Sequence, residues 1–181
     1  MKKTVITFGL ISGAISAIMM FATLPFADRI GFDRGEIVGY TSIVLSLLMV
    51  FFGVRSYRDN VAGGSITFGR AFTVGILISI ISSVCYVVAW EILYFNFMPD
   101  FLDKYAAYVT EKARTSGASP QELETQLQQM TKLKELYANP LLNFAMTFIE
   151  PFPIGVIMTL VSAGILRKKP APQLASSPRS A

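Results

Sequence analysis

Four stretches of the chain are apolar on every side of a helical wheel and contain no basic residue: residues 4–27, 37–54, 71–97 and 141–166. The first two carry no charge at all. The third holds only Glu91 and the fourth only Glu150. A helix rises 1.5 Å per residue, so about 20 apolar residues cross a hydrocarbon core of about 30 Å. All four stretches meet that length, and the extra residues of the last two permit tilt without fixing an angle. None keeps a polar stripe for water, which argues against a soluble helical core. Inside lipid a single segment satisfies its backbone only as a helix. The pattern therefore predicts an all-α fold, a four-helix transmembrane bundle. Lys2 and Lys3 ahead of the first stretch resemble the start of a secretory leader. The apolar run is longer than the usual core of about 7–15 residues, however, and Pro25-Phe26-Ala27 is a poor small-x-small cleavage site.

Charge between the stretches sets the expected orientation. Lys2 and Lys3 precede the first span, Arg55, Arg58 and Arg70 lie between the second and third, and Arg167, Lys168 and Lys169 follow the fourth. Basic flanks face the cytoplasm. Residues 28–36 hold two basic and three acidic groups, and residues 96–140 hold five and six, so both belong outside. Both termini are then cytoplasmic. Residues 99–138 read as an extracytoplasmic helical hairpin. Gly117 ends its first helix, and Ser119-Pro120-Gln121-Glu122 forms a capping box with proline at the first helical position of the second. The apolar side of that second helix faces Phe101, Tyr105 and Tyr108 or the bilayer surface. Asn139-Pro140 stops it before the fourth span. Residues 1–169 form one membrane domain, and the Pro, Ala and Ser-rich residues 170–181 read as a disordered cytoplasmic tail. The inner loop around Gly63-Gly64 reads as a flexible turn, with Ser65 or Thr67 placed to cap the third span.

Composition narrows the chemistry. The chain is 52% hydrophobic and 15% charged, with a mean hydropathy of +0.51. Soluble domains carry about 25% charged residues. The net charge of +4 is then a topology signal, and no nucleic-acid partner is expected. There are no histidines and one cysteine. That removes His-based triads, His-ligated metals, internal disulfides and Cys-rich zinc sites. Cys85 lies mid-span among apolar residues, as a small packing group. No nucleophile stands beside a base, so no catalytic residue, metal or cofactor is assigned and the chain is not read as an enzyme.

Small residues recur at four-residue spacing. Gly9 and Gly13 lead to Ala17, with Ser12 and Ser16 beside them. Gly75 leads to Ser79 and Ser83, and Gly155 to Thr159 and Ala163. Such rows let helix backbones approach closely in lipid. They serve packing within one bundle, or, at Gly9 and Gly13, a homodimer.

The two intramembrane carboxyls are the candidate functional groups, because charge within a span is costly and marks function by default. Glu91 lies about 9 Å and Glu150 about 14 Å inside the outer ends of their spans at 1.5 Å per residue. No Lys or Arg exists in any span. Each carboxyl must be neutral, hydrated from outside or bound to an external cation. Spans three and four are antiparallel neighbours, so the two carboxyls are candidates to face one another. Pro151 and Pro153 remove two backbone donors beside Glu150 and should kink the fourth span; broken helices of this kind coordinate cations in transporters. Asn143, Thr147 and Glu150 share one helix face, suited to a polar recess open to the outside. The same face continues as Ile154 and Ile157, so no polar path leads onward. Tyr86, Trp90, Tyr94 and Phe97 around Glu91 read as an interfacial aromatic belt.

One resemblance follows from a cluster of motifs. Tyr57-Arg58, Gly63-Gly64, Ile66-Thr67-Phe68-Gly69, Ala71-Phe72 and Gly75 together resemble the bacterial membrane-protein family filed as domain of unknown function number 4199, over about residues 1–169. The resemblance implies a bacterial inner-membrane protein of four spans and brings no site residue with it. The expected function is a non-enzymatic structural or interaction protein whose partners are the lipid bilayer and a second copy or another membrane protein. The alternative is a small cation- or proton-coupled transporter or accessory subunit using Glu91 and Glu150.

Overall fold

The computed structural model describes residues 1–168, with only the backbone at Ala27 and Asp28. The expected tail at 170–181, and Lys169, lie outside the described residues. Helix α1 (Lys2–Thr23) runs through a 3-10 turn (Leu24–Phe26) and a single turn, α2 (Ala27–Ile30), into α3 (Phe32–Asn60). Helix α4 (Phe68–Asn96) follows. Then come α5 (Phe101–Thr115) and α6 (Pro120–Ala138), and the last span is split into α7 (Pro140–Phe148) and α8 (Pro151–Leu166). Among the described residues four helical segments, Lys2–Phe26, Phe32–Asn60, Phe68–Asn96 and Pro140–Leu166, are long and apolar enough to cross a membrane. The fold is a four-helix transmembrane bundle. Helix α3 outruns its uncharged stretch at both ends, because Asp33, Arg34, Glu36, Arg55, Arg58 and Asp59 continue the helix where water can reach them.

Helix α4 is the hub. It packs on α1, α3, α7 and α8, and α3 closes the bundle by packing on α1 and α8. Val50, Val54, Val74 and Ile78 are fully buried at the centre. Close approach rests on the predicted small residues. A Cβ added at Gly9 would lie 2.8 Å from the Ile81 Cβ, and one at Gly13 only 2.4 Å from the Cys85 Cβ. One added at Gly75 would lie 2.8 Å from Thr159, and at Gly155 2.8 Å from Ser79. All four glycines thus face a helix of the same chain. Buried hydroxyls tie these seams. The Ser12 Oγ donates to the Ser46 carbonyl at 2.7 Å and lies 2.8 Å from the Ser82 Oγ, joining α1, α3 and α4. The Ser79 Oγ donates to the Gly155 carbonyl at 3.2 Å and is as close to the Thr159 Oγ1.

At the end that carries Met1 and Lys168, the α3–α4 loop is anchored where a flexible turn was expected. Gly63 and Gly64 adopt φ of 67° and 81°, a region closed to most other residues. They turn the chain so that Ile66 is buried against the core. Ile66 then exchanges two backbone hydrogen bonds with Lys168, at 3.0 and 2.9 Å. Thr67 caps α4 by accepting from the Arg70 backbone N–H, and the Arg70 guanidinium sits 5.8 Å from the centre of the Tyr57 ring.

At the opposite end α5 and α6 pack on each other, aided by an ion pair between Lys134 and Asp103. Gly117, at φ 85°, ends the first of them, and the Ser119–Glu122 capping box opens the second. The capping hydrogen bonds from Ser119 hold the Glu122 carboxyl below its ordinary pKa. Phe101, Tyr105 and Tyr108 surround Phe32 at the start of α3, with ring centres 5.9, 5.5 and 5.0 Å away. Lys112 seals this contact with a 2.6 Å bond to Asp33, which raises the pKa of its ammonium.

Candidate functional site

The site forms where the last span breaks. Asn139 caps α7 through its side-chain oxygen, which accepts from the backbone of Leu141 and Leu142. Helix α7 stops at Phe148 because Pro151 and Pro153 have no N–H to offer the carbonyls of Thr147 and Ile149. The Glu150 N–H bonds to the Thr147 carbonyl at 3.2 Å instead. Pro153 lacks the N–H that helical geometry would offer the Ile149 carbonyl.

The broken span runs antiparallel to α4, and the contacts form a regular ladder. Gly75 meets Thr159, Ser79 meets Gly155, the Tyr86 hydroxyl donates to the Glu150 Oε2 at 2.9 Å, and the Trp90 Nε1 donates to the Asn143 Oδ1 at 2.9 Å. One rung of this ladder is left, and it sets Ser83 opposite Pro151. Ser79, Ser83, Tyr86 and Trp90 recur at steps of four, three and four, which is one face of α4. Ser83 is completely buried, and its Oγ has no hydrogen-bond partner among the described residues.

Asn143 is the centre of the half of the site nearest α5 and α6. It is wholly buried, accepts from Trp90 and from the Thr147 Oγ1 at 3.1 Å, and donates through Nδ2 to the Tyr137 carbonyl at 3.3 Å. Its amide thereby joins α4, α6 and α7. Burial raises the pKa of the Tyr137 hydroxyl. Glu150 is exposed on one side, yet it is hemmed in by aromatic hydroxyls. Tyr86 bonds to it, Tyr137 lies within electrostatic range of it, and Tyr40 lies within range of Tyr86.

Of the sequence candidates, Asn143, Thr147 and Glu150 gather along this seam with Tyr86 and Trp90. Glu91 does not join them. It follows Trp90 by one residue, a step of about 100° round the helix. That step places it in a stripe with Val84, Val88 and Phe95, all exposed. Its Oε1 is buried without a hydrogen-bond partner among the described residues. Tyr86 and Trp90 read from sequence as an interfacial belt, yet both are polar partners in this seam. The signal available was their four-residue step, in register with Ser79 and Ser83.

The family described as protein of unknown function (DUF4199) matches residues 7–168. The chain belongs to the DUF4199 family. That match takes in every helix of the bundle and the whole α4–α7–α8 seam. No curated protein and no solved structure matches the chain.

Proposed function

We propose that this DUF4199 protein is a multi-pass protein of the bacterial inner membrane, with both termini cytoplasmic, that acts by association with lipid and other membrane chains and not by catalysis. One observation carries this reading. The buried polar groups Ser12, Ser79 and Asn143 are bonded to neighbouring helices, which makes them glue between spans, while the Glu91 Oε1 has no hydrogen-bond partner among the described residues and Glu91 lies beside the exposed apolar residues Val84, Val88 and Phe95. An intramembrane carboxyl in that position calls for a donor from outside the chain. The orientation is supported by Lys2, Lys3, Arg55, Arg58, Arg70, Arg167 and Lys168, which all lie at the end of the bundle that holds Met1 and the α3–α4 loop.

Two experiments test it. In a Cys85→Ser background, Ser116→Cys should react with an impermeant maleimide on intact cells and Asn60→Cys only after permeabilisation; the reverse pattern refutes the orientation. A photo-crosslinking residue at Val88 should capture a second copy or another membrane protein in living cells. Lipid adducts alone would refute the interaction role.

The Tyr86–Glu150 bond favours a second reading. In it the protein is a small cation- or proton-coupled transporter or accessory subunit, with the seam at the α7–α8 break as its coupling site.

A further inference from the structure

We propose that Ser83, Tyr86 and Glu150, together with the Ile149 carbonyl, form a binding site for one monovalent inorganic cation reached from the outer face. This rests on the second reading above and makes it specific. Glu91, the other half of the pair expected from sequence, takes no part.

Three observations converge on the place. Ser83 is fully buried and its hydroxyl is unpartnered, although serine in a helix commonly bonds back to the carbonyl four residues earlier, as Ser79 does to Gly75. The antiparallel ladder sets it opposite Pro151, the residue after Glu150. Helical side chains lean toward the N-terminus, so the Tyr86 ring reaches over the turn that contains Ser83 before its hydroxyl meets Glu150. The hydroxyl of Ser83 and the carboxyl of Glu150 therefore share one level of the seam.

The chemistry there is oxygen-rich and lacks a positive charge. The Tyr86 hydroxyl and the Glu150 carboxyl touch, the Ser83 hydroxyl lies one turn back on the same face of α4, the Ile149 carbonyl lacks the N–H of Pro153, and no Lys or Arg lies in any span. The carboxyl accepts from Tyr86, a bond that suits its ionised form. One negative charge sets the valence. A divalent ion asks for more carboxylates, and no group of three or more acidic, Cys or His residues able to hold a metal occurs among the described residues. A single carboxylate with neutral oxygens is neutralised by one alkali cation. The proposed route in is the α7–α8 break, where Glu150 keeps exposed surface, while beyond Ser83 the Ser79–Thr159–Gly155 contacts close the seam.

The test is thermal unfolding of the purified full-length chain in detergent at fixed pH. NaCl, KCl and LiCl are each titrated against choline chloride at equal ionic strength. At least one alkali cation should raise the unfolding midpoint saturably, since a ligand that binds only the folded state stabilises it by mass action. Glu150→Gln should abolish the response. Ser83→Ala should weaken the apparent affinity about three- to tenfold, the loss of one ligand. Glu91→Gln should respond as wild type. Equal midpoints in all four salts would overturn the site, and so would an undiminished response in Glu150→Gln. A response to pH alone, the same in choline, would make the ligand a proton and also overturn it. If Glu150→Gln does not fold, unchanged affinity in Ser83→Ala decides against the site. Cation binding without cation-driven flux in vesicles would leave the site standing and remove the coupling reading alone.

Discussion

Gly13→Ala measures how tightly α1 and α4 are locked. The added Cβ would sit 2.4 Å from the Cys85 Cβ and 2.8 Å from its Sγ. Carbon atoms rest at about 3.5–4.0 Å, so the helices must part by about 1 Å at this point. The neighbouring Ser12 Oγ lies 2.8 Å from the Ser82 Oγ and 2.7 Å from the Ser46 carbonyl. A shift of about 1 Å carries either bond past the useful range. Overpacking costs about 1–3 kcal/mol, and a lost interhelical hydrogen bond in a membrane protein about 0.6 kcal/mol. Alanine returns up to about 1 kcal/mol of helix propensity. The net loss is about 1–3 kcal/mol, which lowers the unfolding midpoint of a chain this size by about 2–12 °C. Gly164→Ala is the control, because Gly164 has nothing within 4 Å of an added Cβ. It should hold or gain stability. Rescue is specific: Cys85→Ala leaves the 2.4 Å clash in place, whereas Cys85→Gly removes it. The assay is thermal unfolding in detergent with particle mass followed by light scattering. Stability of Gly13→Ala equal to that of Gly164→Ala would refute the packing argument, and a fall in particle mass would show that the same glycine also holds two chains together.

Three further outcomes follow from the same geometry. Asn143→Ala strands the Trp90 indole N–H and the Thr147 hydroxyl, so it should cost about 1–3 kcal/mol and shift the emission of Trp90, the chain's single tryptophan. Lys112→Ala breaks a pair whose members are more than half exposed, so its effect on stability should be small and vanish in high salt, as unfolding midpoints at low and high ionic strength would show. The Glu122 carboxyl is held below its ordinary value of 4.5 by Ser119, so it stabilises the start of α6 above that pH and loses this contribution as pH falls through its lowered folded-state value. The protection of the amides at residues 119–122 against exchange, taken relative to the intrinsic rate at each pH, should therefore fall on acidification, and a Glu122→Gln variant should show no such fall.

The sequence reveals what depends on position along one helix and conceals what depends on the angle between two. Span lengths, the proline break and the Ser119 capping box are local properties, and each appears in the fold. The rows through Gly9, Gly75 and Gly155 announced close approach, because in lipid small residues are what permit it. Their partners Ile81, Thr159 and Ser79 depend on helix register, which no single row encodes. The burial of Ile66 was hidden for a similar reason. Two glycines read as flexibility, but their left-handed backbone aims the following residues at the Lys168 strand-like bridge. Likewise Phe101, Tyr105 and Tyr108 found Phe32, which the sequence places in a different loop.

Glu91 and Glu150 show how much that angle decides. Their depths at the sequence level are similar, and both belong to spans joined by a single outer segment. Depth alone makes them a pair. The helical step from Trp90 to Glu91 then turns one carboxyl toward the exposed stripe of α4, while Tyr86, five residues earlier, turns its hydroxyl to the α7–α8 break and Glu150. The Glu150 carboxyl meets the Tyr86 hydroxyl in the seam, where the proposed ion would complete it. The Glu91 Oε1 has no hydrogen-bond partner among the described residues and lies beside an exposed apolar stripe, where the proposed association with another chain would complete it. The two acids therefore mark two separate contacts, and substituting one should leave the response of the other intact.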